Sequence, residues 1–236
     1  MDVMDDYILH YAPDNASLVV RLALEDRGLP YSTALVDRAS EAQKGAAYRK
    51  INPVGLIPAL ETPRGVLFET AAILLWLADT HGGLGPAPGD VARGHFLKWL
   101  IFVSNTLHAG LRLTFYPQNY VGDAPKYQAA LRAGTRTGLD TQLRLLDAEA
   151  RRAHGWFNAA EVTVLDYYVA CCLRWAGLYP AGDTGWFELA RYPALWDLAE
   201  SLESRPATKA AILAEGLGPK PFTRPEPPQP PEGSAT

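Results

Sequence analysis

The chain has 236 residues, 48% hydrophobic and 20% charged, with 22 Lys and Arg against 26 Asp and Glu for a net charge of −4. This is globular composition with enough length for one large or two modest cores. The negative balance offers no basis for binding nucleic acid or an anionic membrane surface, and no apolar run reaches the roughly 18 residues needed to span a bilayer.

Residues 1–6 are acidic and lack the basic and apolar regions of a signal peptide, so a cytoplasmic location is expected. Tyr7-Ile8-Leu9-His10-Tyr11 reads as a strand stopped by Ala12-Pro13-Asp14. Asp14 or Asn15 is placed to cap a helix whose apolar face is Leu18, Leu22 and Ala23, up to Arg27-Gly28. Residues 31–36 form a second strand, which completes a βαβ unit and implies parallel pairing. A weak helix around Ala46, Ala47 and Tyr48 follows. Residues 57–61 and 65–68 then form a hairpin about Thr62-Pro63-Arg64-Gly65, and residues 71–80 form a helix.

The run Gly82-Gly83-Leu84-Gly85-Pro86-Ala87-Pro88-Gly89 is a linker by composition. Beyond it helical periodicity takes over. Phe96, Leu100, Val103, Leu107 and Leu111 step by three and four along one long amphipathic helix that Pro117 ends. A second long helix covers roughly residues 124–152, with Leu139, Leu143 and Leu146 inward. Thr163 and Asp166 form a capping box, with Val162 and Tyr167 as its hydrophobic staple, opening a helix that is apolar nearly all round and contains the adjacent Cys171 and Cys172. Adjacent cysteines cannot staple distant elements and fit a reducing compartment, so core packing is their expected role. Helices over residues 194–204 and 207–213 complete the chain. Of residues 219–236, seven are proline and almost none are apolar, which predicts an extended, mobile tail.

The most informative stretch is Asn52-Pro53-Val54-Gly55-Leu56-Ile57-Pro58-Ala59-Leu60, followed by Phe68-Glu69-Thr70. Local chemistry alone gives a tight bend at Gly55, then a proline that opens an edge strand with exposed backbone groups. The motif with its Glu-Thr resembles the glutathione-binding signature of the cytosolic glutathione transferases, whose proline is cis. The Thr163–Asp166 box sits at a matching distance, and the resemblance covers about residues 7–216. It implies an α/β thioredoxin-like domain of order βαβ-α-ββα over residues 1–83, a linker at 84–89, an all-helical domain over 90–217 and a tail from 218 to 236. Tyr11-Ala12-Pro13-Asp14-Asn15-Ala16-Ser17-Leu18 is closest to the bacterial beta class, but the catalytic cysteine of that class falls on Ala16.

With no protein thiol at that place, the resemblance leaves activation of glutathione's own thiol. Ser17 in the first helical turn, Asn15 with its amide and Tyr11 at the strand end are the candidate donors. Without the resemblance they read as a first-turn serine, an N-cap and a half-buried strand tyrosine. The resemblance further implies that Thr70 and Glu69 hold the γ-glutamyl carboxylate and ammonium. Ile57 before Pro58 pairs its backbone with the cysteinyl part, and Lys44 reaches the glycyl carboxylate. Ser104-Asn105-Thr106-Leu107-His108 resembles the beta-class helix that presents a histidine to the cleft. His108 shares its helical face with Ile101, Ser104 and Arg112, and Phe115 and Tyr116 follow.

The expected function is conjugation of glutathione, as cosubstrate, to an electrophilic apolar molecule in a detoxifying homodimer. Other glutathione chemistry on the same scaffold (ether cleavage, dehalogenation, isomerisation, peroxide reduction) and a weakly catalytic glutathione-binding protein are the alternatives. No metal-ligand spacing, phosphate loop or Gly-x-Ser-x-Gly elbow is present, and no metal is expected.

Overall fold

The computed structural model describes residues 7–235. Residues 1–6, read above for a signal peptide, and Thr236 lie outside the described residues. β1 (Tyr7–Tyr11) and β2 (Tyr31–Leu35) pair in parallel through helix α1 (Ser17–Asp26), with Tyr7 opposite Tyr31 and Tyr11 opposite Leu35. β3 (Ala59–Thr62) runs antiparallel to β1, and β4 (Gly65–Phe68) antiparallel to β3, giving the order β2-β1-β3-β4. The strand after Pro58 is therefore interior, not the edge strand that its proline suggested. Pro58 lies one residue ahead of the ladder, which begins with Ala59 opposite His10, so its missing N–H removes no sheet bond.

This topology fixes where a site can be. The C-terminal ends of β1, β2 and β4 and the N-terminal end of β3 meet at the same end of the sheet. Each strand therefore delivers one loop to a common rim. α1 is buried on nearly every face, because it packs on the sheet and also against α3 (Thr70–His81), α8 (Val164–Leu178) and α10 (Pro206–Glu215).

The second half of the chain is helical. The stripe Phe96, Leu100, Val103, Leu107 and Leu111 is buried throughout, but it does not belong to one uniform α-helix. α4 (Arg93–Phe102) and α5 (Ala109–Phe115) are joined by a π-helical segment, Val103–His108. α7 (Pro125–Ala150) brings Leu139, Leu143 and Leu146 to the core, and α9 (Pro193–Glu203) packs beside it. α8 is central, buried continuously from Val164 to Ala176 with both cysteines inside and unbonded to each other. Its capping box forms as expected: the Thr163 N–H donates to Asp166 Oδ2 at 2.7 Å and the Thr163 hydroxyl to the same oxygen at 2.9 Å.

The proline-rich tail is extended, but it is not free of the body. Extended proline segments make no internal hydrogen bonds, so their carbonyls remain available as acceptors. Arg174 Nη1 takes those of Leu217 and Pro221, both at 3.1 Å, and Nη2 takes that of Glu226 at 3.0 Å. Phe222 is the tail's one large apolar side chain and is fully buried. The Gln229 N–H donates to Gly216 O at 2.8 Å, and Gly233 packs on Leu35 and Pro13. Composition hid this because the strongest anchors are polar side chains outside the tail, Arg174 on α8 and Glu203 on α9, whose carboxylate accepts the N–H groups of Phe222 and Thr223.

Candidate active site

A cleft of about 380 Å³ runs along the common rim of the sheet and is walled on its other side by the π segment, α5 and α8. Each of the four strand ends contributes one piece of it.

After β1 the chain turns through Asp14, whose backbone is left-handed (φ 49°). Its carboxylate accepts from Arg174 Nε (2.8 Å) and Nη2 (3.0 Å), Trp175 Nε1 (3.0 Å) and the Tyr179 hydroxyl (2.7 Å). Asp14 is therefore an anchor to α8 and not a helix cap. The turn it fixes presents Asn15 and Ala16 to the cleft. Asn15 does not cap α1 either: its Oδ1 accepts the Ala16 N–H at 2.9 Å, and among the described residues its amide N–H pair has no acceptor, leaving it as a donor on the cleft wall.

Ahead of β3, Asn52 organises the bend. Its Oδ1 accepts the Val54 N–H at 3.1 Å, and its Nδ2 donates to Leu56 O at 2.6 Å, where the Tyr48 hydroxyl also donates at 2.8 Å. Gly55 has φ 72°, and a Cβ there would lie 2.9 Å from the Gln43 carbonyl oxygen, so no other residue fits. The Ile57–Pro58 peptide is cis, and Ile57 lies on the cleft just outside the ladder. After β4, Glu69 adopts φ 72° and leads into α3, whose first residue is the buried Thr70; both line the cleft. After β2 comes Arg38, whose Nη2 donates to the Tyr116 hydroxyl at 3.2 Å across to the helical wall.

On that wall, His108 Nδ1 is 2.8 Å from the Tyr168 hydroxyl, and its ring lies against Trp175 at 5.0 Å. Burial, together with the nearby Arg112 charge, lowers the His108 pKa to about 4, so the imidazole is neutral at physiological pH. Arg112, Phe115 and Tyr116 line the cleft, whereas Ile101 does not and is 46% exposed. The π segment explains this. Its wider turn rotates the register, so that Ser104 and Asn105 both reach the cleft and the 3.6-residue spacing back to Ile101 fails.

Three expected site residues lie elsewhere. Ser17 has no solvent exposure, and its hydroxyl donates to Ala12 O at 3.1 Å while accepting the Ala12 N–H at 3.3 Å. It closes the β1–α1 turn and does not line the cleft. Tyr11 is 2% exposed, donates its hydroxyl to Glu232 of the tail, and has Arg21 over its ring. Burial and then the Glu232 carboxylate push its phenol well above the ordinary tyrosine range, so the hydroxyl stays protonated, but its donor is spent on Glu232 and the residue does not line the cleft. Lys44 pairs with Glu41 on the exposed surface.

Sequence reasoning missed Arg38, Asp14, Tyr168, Trp175 and Tyr179. The last three recur at spacings of seven and four along α8 and its C-cap, a signal concealed by the apolar character of the whole helix. Among the described residues no group of three or more His, Cys, Asp or Glu could hold a metal ion.

A sequence profile for the family "Glutathione S-transferase, N-terminal domain" matches residues 16–80. The chain is similar to glutathione S-transferase GstA of Escherichia coli O157:H7, 28% identical over 215 residues, which cover 89% of this chain and 98% of that protein. It is likewise similar to glutathione S-transferase GST-4.5 of Xanthomonas campestris pv. campestris, 29% identical over 211 residues and covering 89% and 98%. Among solved structures, a sphingomonad glutathione S-transferase complexed with glutathione superposes with a TM-score of 0.74 at 30% identity, covering 89% of this chain and all of that one. The chain belongs to the glutathione S-transferase family. Its fold is the thioredoxin-like sheet followed by an all-helical domain.

Proposed function

We propose that this chain is a glutathione transferase that binds glutathione along the rim of the sheet, stabilises its thiolate and adds the sulfur to an electrophile. The order of the strands supports the binding pose. From β4 to β2, the rim carries Glu69 and Thr70, then Ile57, then Asn15, then Arg38. An extended tripeptide laid across it meets an acid and a helix N-terminus for the γ-glutamyl end, an unpaired backbone for the cysteinyl part, an amide at the thiol and a cation for the glycyl carboxylate. Arg38 takes the place that the sequence assigned to Lys44.

The observation that carries the activity is the Asn15 amide, held by Ala16 at the N-terminus of α1 with its N–H pair unpaired among the described residues. A free thiol has pKa about 8.5, and each unit of depression needs about 1.4 kcal/mol of preference for the anion. A donor to a charged group contributes about 1.5–3 kcal/mol and a helix N-terminus about 0.3–1 kcal/mol, enough for one to three units. The thiolate then attacks the electrophilic carbon as a carbon–sulfur bond forms and the leaving group departs with its electron pair. Ala16 stands where the beta class has a catalytic cysteine. Cys171 and Cys172 are buried with their thiols pushed well above the ordinary value, so chemistry through a protein thiol is unsupported. Division at residues 84–89, cytoplasmic location and pairing of two copies belong to the same proposal, and light scattering measures the last.

The test is the thiol pKa of bound glutathione, read by ultraviolet thiolate absorbance, in the unmodified chain and in Asn15→Ala. The expected result is a pKa one to three units below the free value, most of it restored by the substitution. Bound glutathione with an ordinary thiol pKa would overturn the catalytic reading.

A further inference from the structure

We infer that the electrophile taken by this cleft carries a carboxylate, held by Arg112. The inference rests on the glutathione site proposed above and adds the class of its second substrate. It follows from a count of charges. The side-chain cations lining the cleft are Arg38 and Arg112, and the acids are Glu69 and Asp14. Asp14 is already saturated by Arg174, Trp175 and Tyr179. Glutathione brings one ammonium and two carboxylates. Along the rim, Glu69 faces the ammonium, Thr70 and the start of α3 face the first carboxylate, and Arg38, at the far end of the sheet order, faces the second. Arg112 is left over.

Its position fits a second ligand better than the tripeptide. Arg112 lies on α5, one turn beyond His108 and one turn before Tyr116, on the helical wall opposite the strand ends. Among the described residues no carboxylate, hydroxyl or ring partners its guanidinium, in contrast to Arg21, Arg93, Arg136, Arg174 and Arg205, which all hold ion pairs. Beside it Phe115 packs edge-on to Tyr116 and Tyr179, with ring centroids at 6.3 and 5.9 Å, a surface suited to a flat apolar body. A wholly apolar electrophile bound there would strip water from an uncompensated charge. One that carries a carboxylate would meet the two-pronged guanidinium with matching geometry. The second substrate is therefore a planar, unsaturated or aromatic electrophile with an acid group, and not the purely apolar one that the resemblance implied.

The experiment compares two chloronitrobenzenes at saturating glutathione, one with a ring carboxylate and one with the isosteric carboxamide, in the unmodified chain, Arg112→Gln and Arg112→Lys. The unmodified chain should prefer the carboxylate by about 10-fold or more in kcat/KM. That ratio should collapse toward one in Arg112→Gln and return in part in Arg112→Lys. Calorimetric binding of the preformed S-aryl conjugates of both rings reads the same preference without turnover. Equal handling of the two rings, a preference that survives Arg112→Gln, or a loss that appears instead in the KM for glutathione would each overturn the inference. A chain that binds no glutathione at all fails the site reading itself, which the thiolate titration detects separately.

Discussion

The guanidinium of Arg174 and the carboxylate of Asp14 form a two-pronged pair at 2.8 and 3.0 Å, and neither side chain has any solvent exposure. The three remaining Arg174 donors end on the carbonyls of Leu217, Pro221 and Glu226, so all five are used. One buried cation thereby ties together the β1–α1 turn that presents Asn15, the central helix and the tail. Asp14→Ala strands the cation without a counter-charge and should cost about 3–5 kcal/mol, and Arg174→Met should cost a similar amount. The double variant should lose clearly less than the sum, because each single change already breaks the same pair. Urea unfolding measures all three, and additive losses would mean that the two residues do not act together.

The tail should behave as part of the folded body in hydrogen exchange. Glu203 Oε1 accepts the N–H of Phe222 (3.2 Å), the N–H of Thr223 (2.8 Å) and the Thr223 hydroxyl (2.8 Å), and Gln229 donates to Gly216. Amides 222, 223 and 229 should therefore exchange slowly despite the proline content around them. Glu203→Ala leaves the first two N–H groups unpaired at a cost of about 1–3 kcal/mol, which predicts roughly 5- to 150-fold faster exchange at 222 and 223. Free exchange in the unmodified chain would restore the mobile tail that composition suggests.

Elements fixed by local chemistry were legible in the sequence: β1, the hairpin after the Asn52 bend, the Thr163 box and the buried stripe from Phe96 to Leu111 each depend on neighbours within a few residues. What the sequence concealed depends on partners far along the chain. The interior position of β3 is set by pairing with β1, some fifty residues earlier, which no strand pattern encodes. Ser17 and Asn15 are two residues apart, and which of them lines the cleft depends on how the β1–α1 turn is held. That was decided by Asp14 reaching Arg174, 160 residues away. The π segment shifted the register of α5 by less than a residue pattern resolves, enough to bring Asn105 into the cleft and leave Ile101 out.

Ser17→Ala separates a structural serine from a catalytic one. The hydroxyl is fully buried and shared with both backbone groups of Ala12, so its loss leaves the buried Ala12 N–H and C=O without that partner. The variant should unfold at lower urea with a loss of about 1–3 kcal/mol. It should leave the thiol pKa of bound glutathione where it was, provided measurements are made well below the unfolding transition. A thiol pKa that rises in Ser17→Ala while remaining unchanged in Asn15→Ala would exchange the roles assigned to the two residues.

His108 should mark the acid limb of stability. Its native pKa of about 4 lies below the ordinary value of 6.5, so on acidification the unfolded chain takes up the proton first. Its contribution is therefore complete above pH 6.5, falls as pH drops from 6.5 to about 4, and changes no further below that. The loss across that window is about 3 kcal/mol. Asp166 and Glu215, each raised by burial to about 6, act in the opposite sense, because the native state takes up their protons before the unfolded chain does. The whole-protein profile therefore mixes the two signs, and the difference between the unmodified chain and His108→Gln isolates the histidine. That difference in unfolding free energy should move against the unmodified chain by about 3 kcal/mol between pH 7 and pH 4. A constant difference would show that the native imidazole titrates like one in water, and that the wall formed by Tyr168, Trp175 and Arg112 does not enclose it.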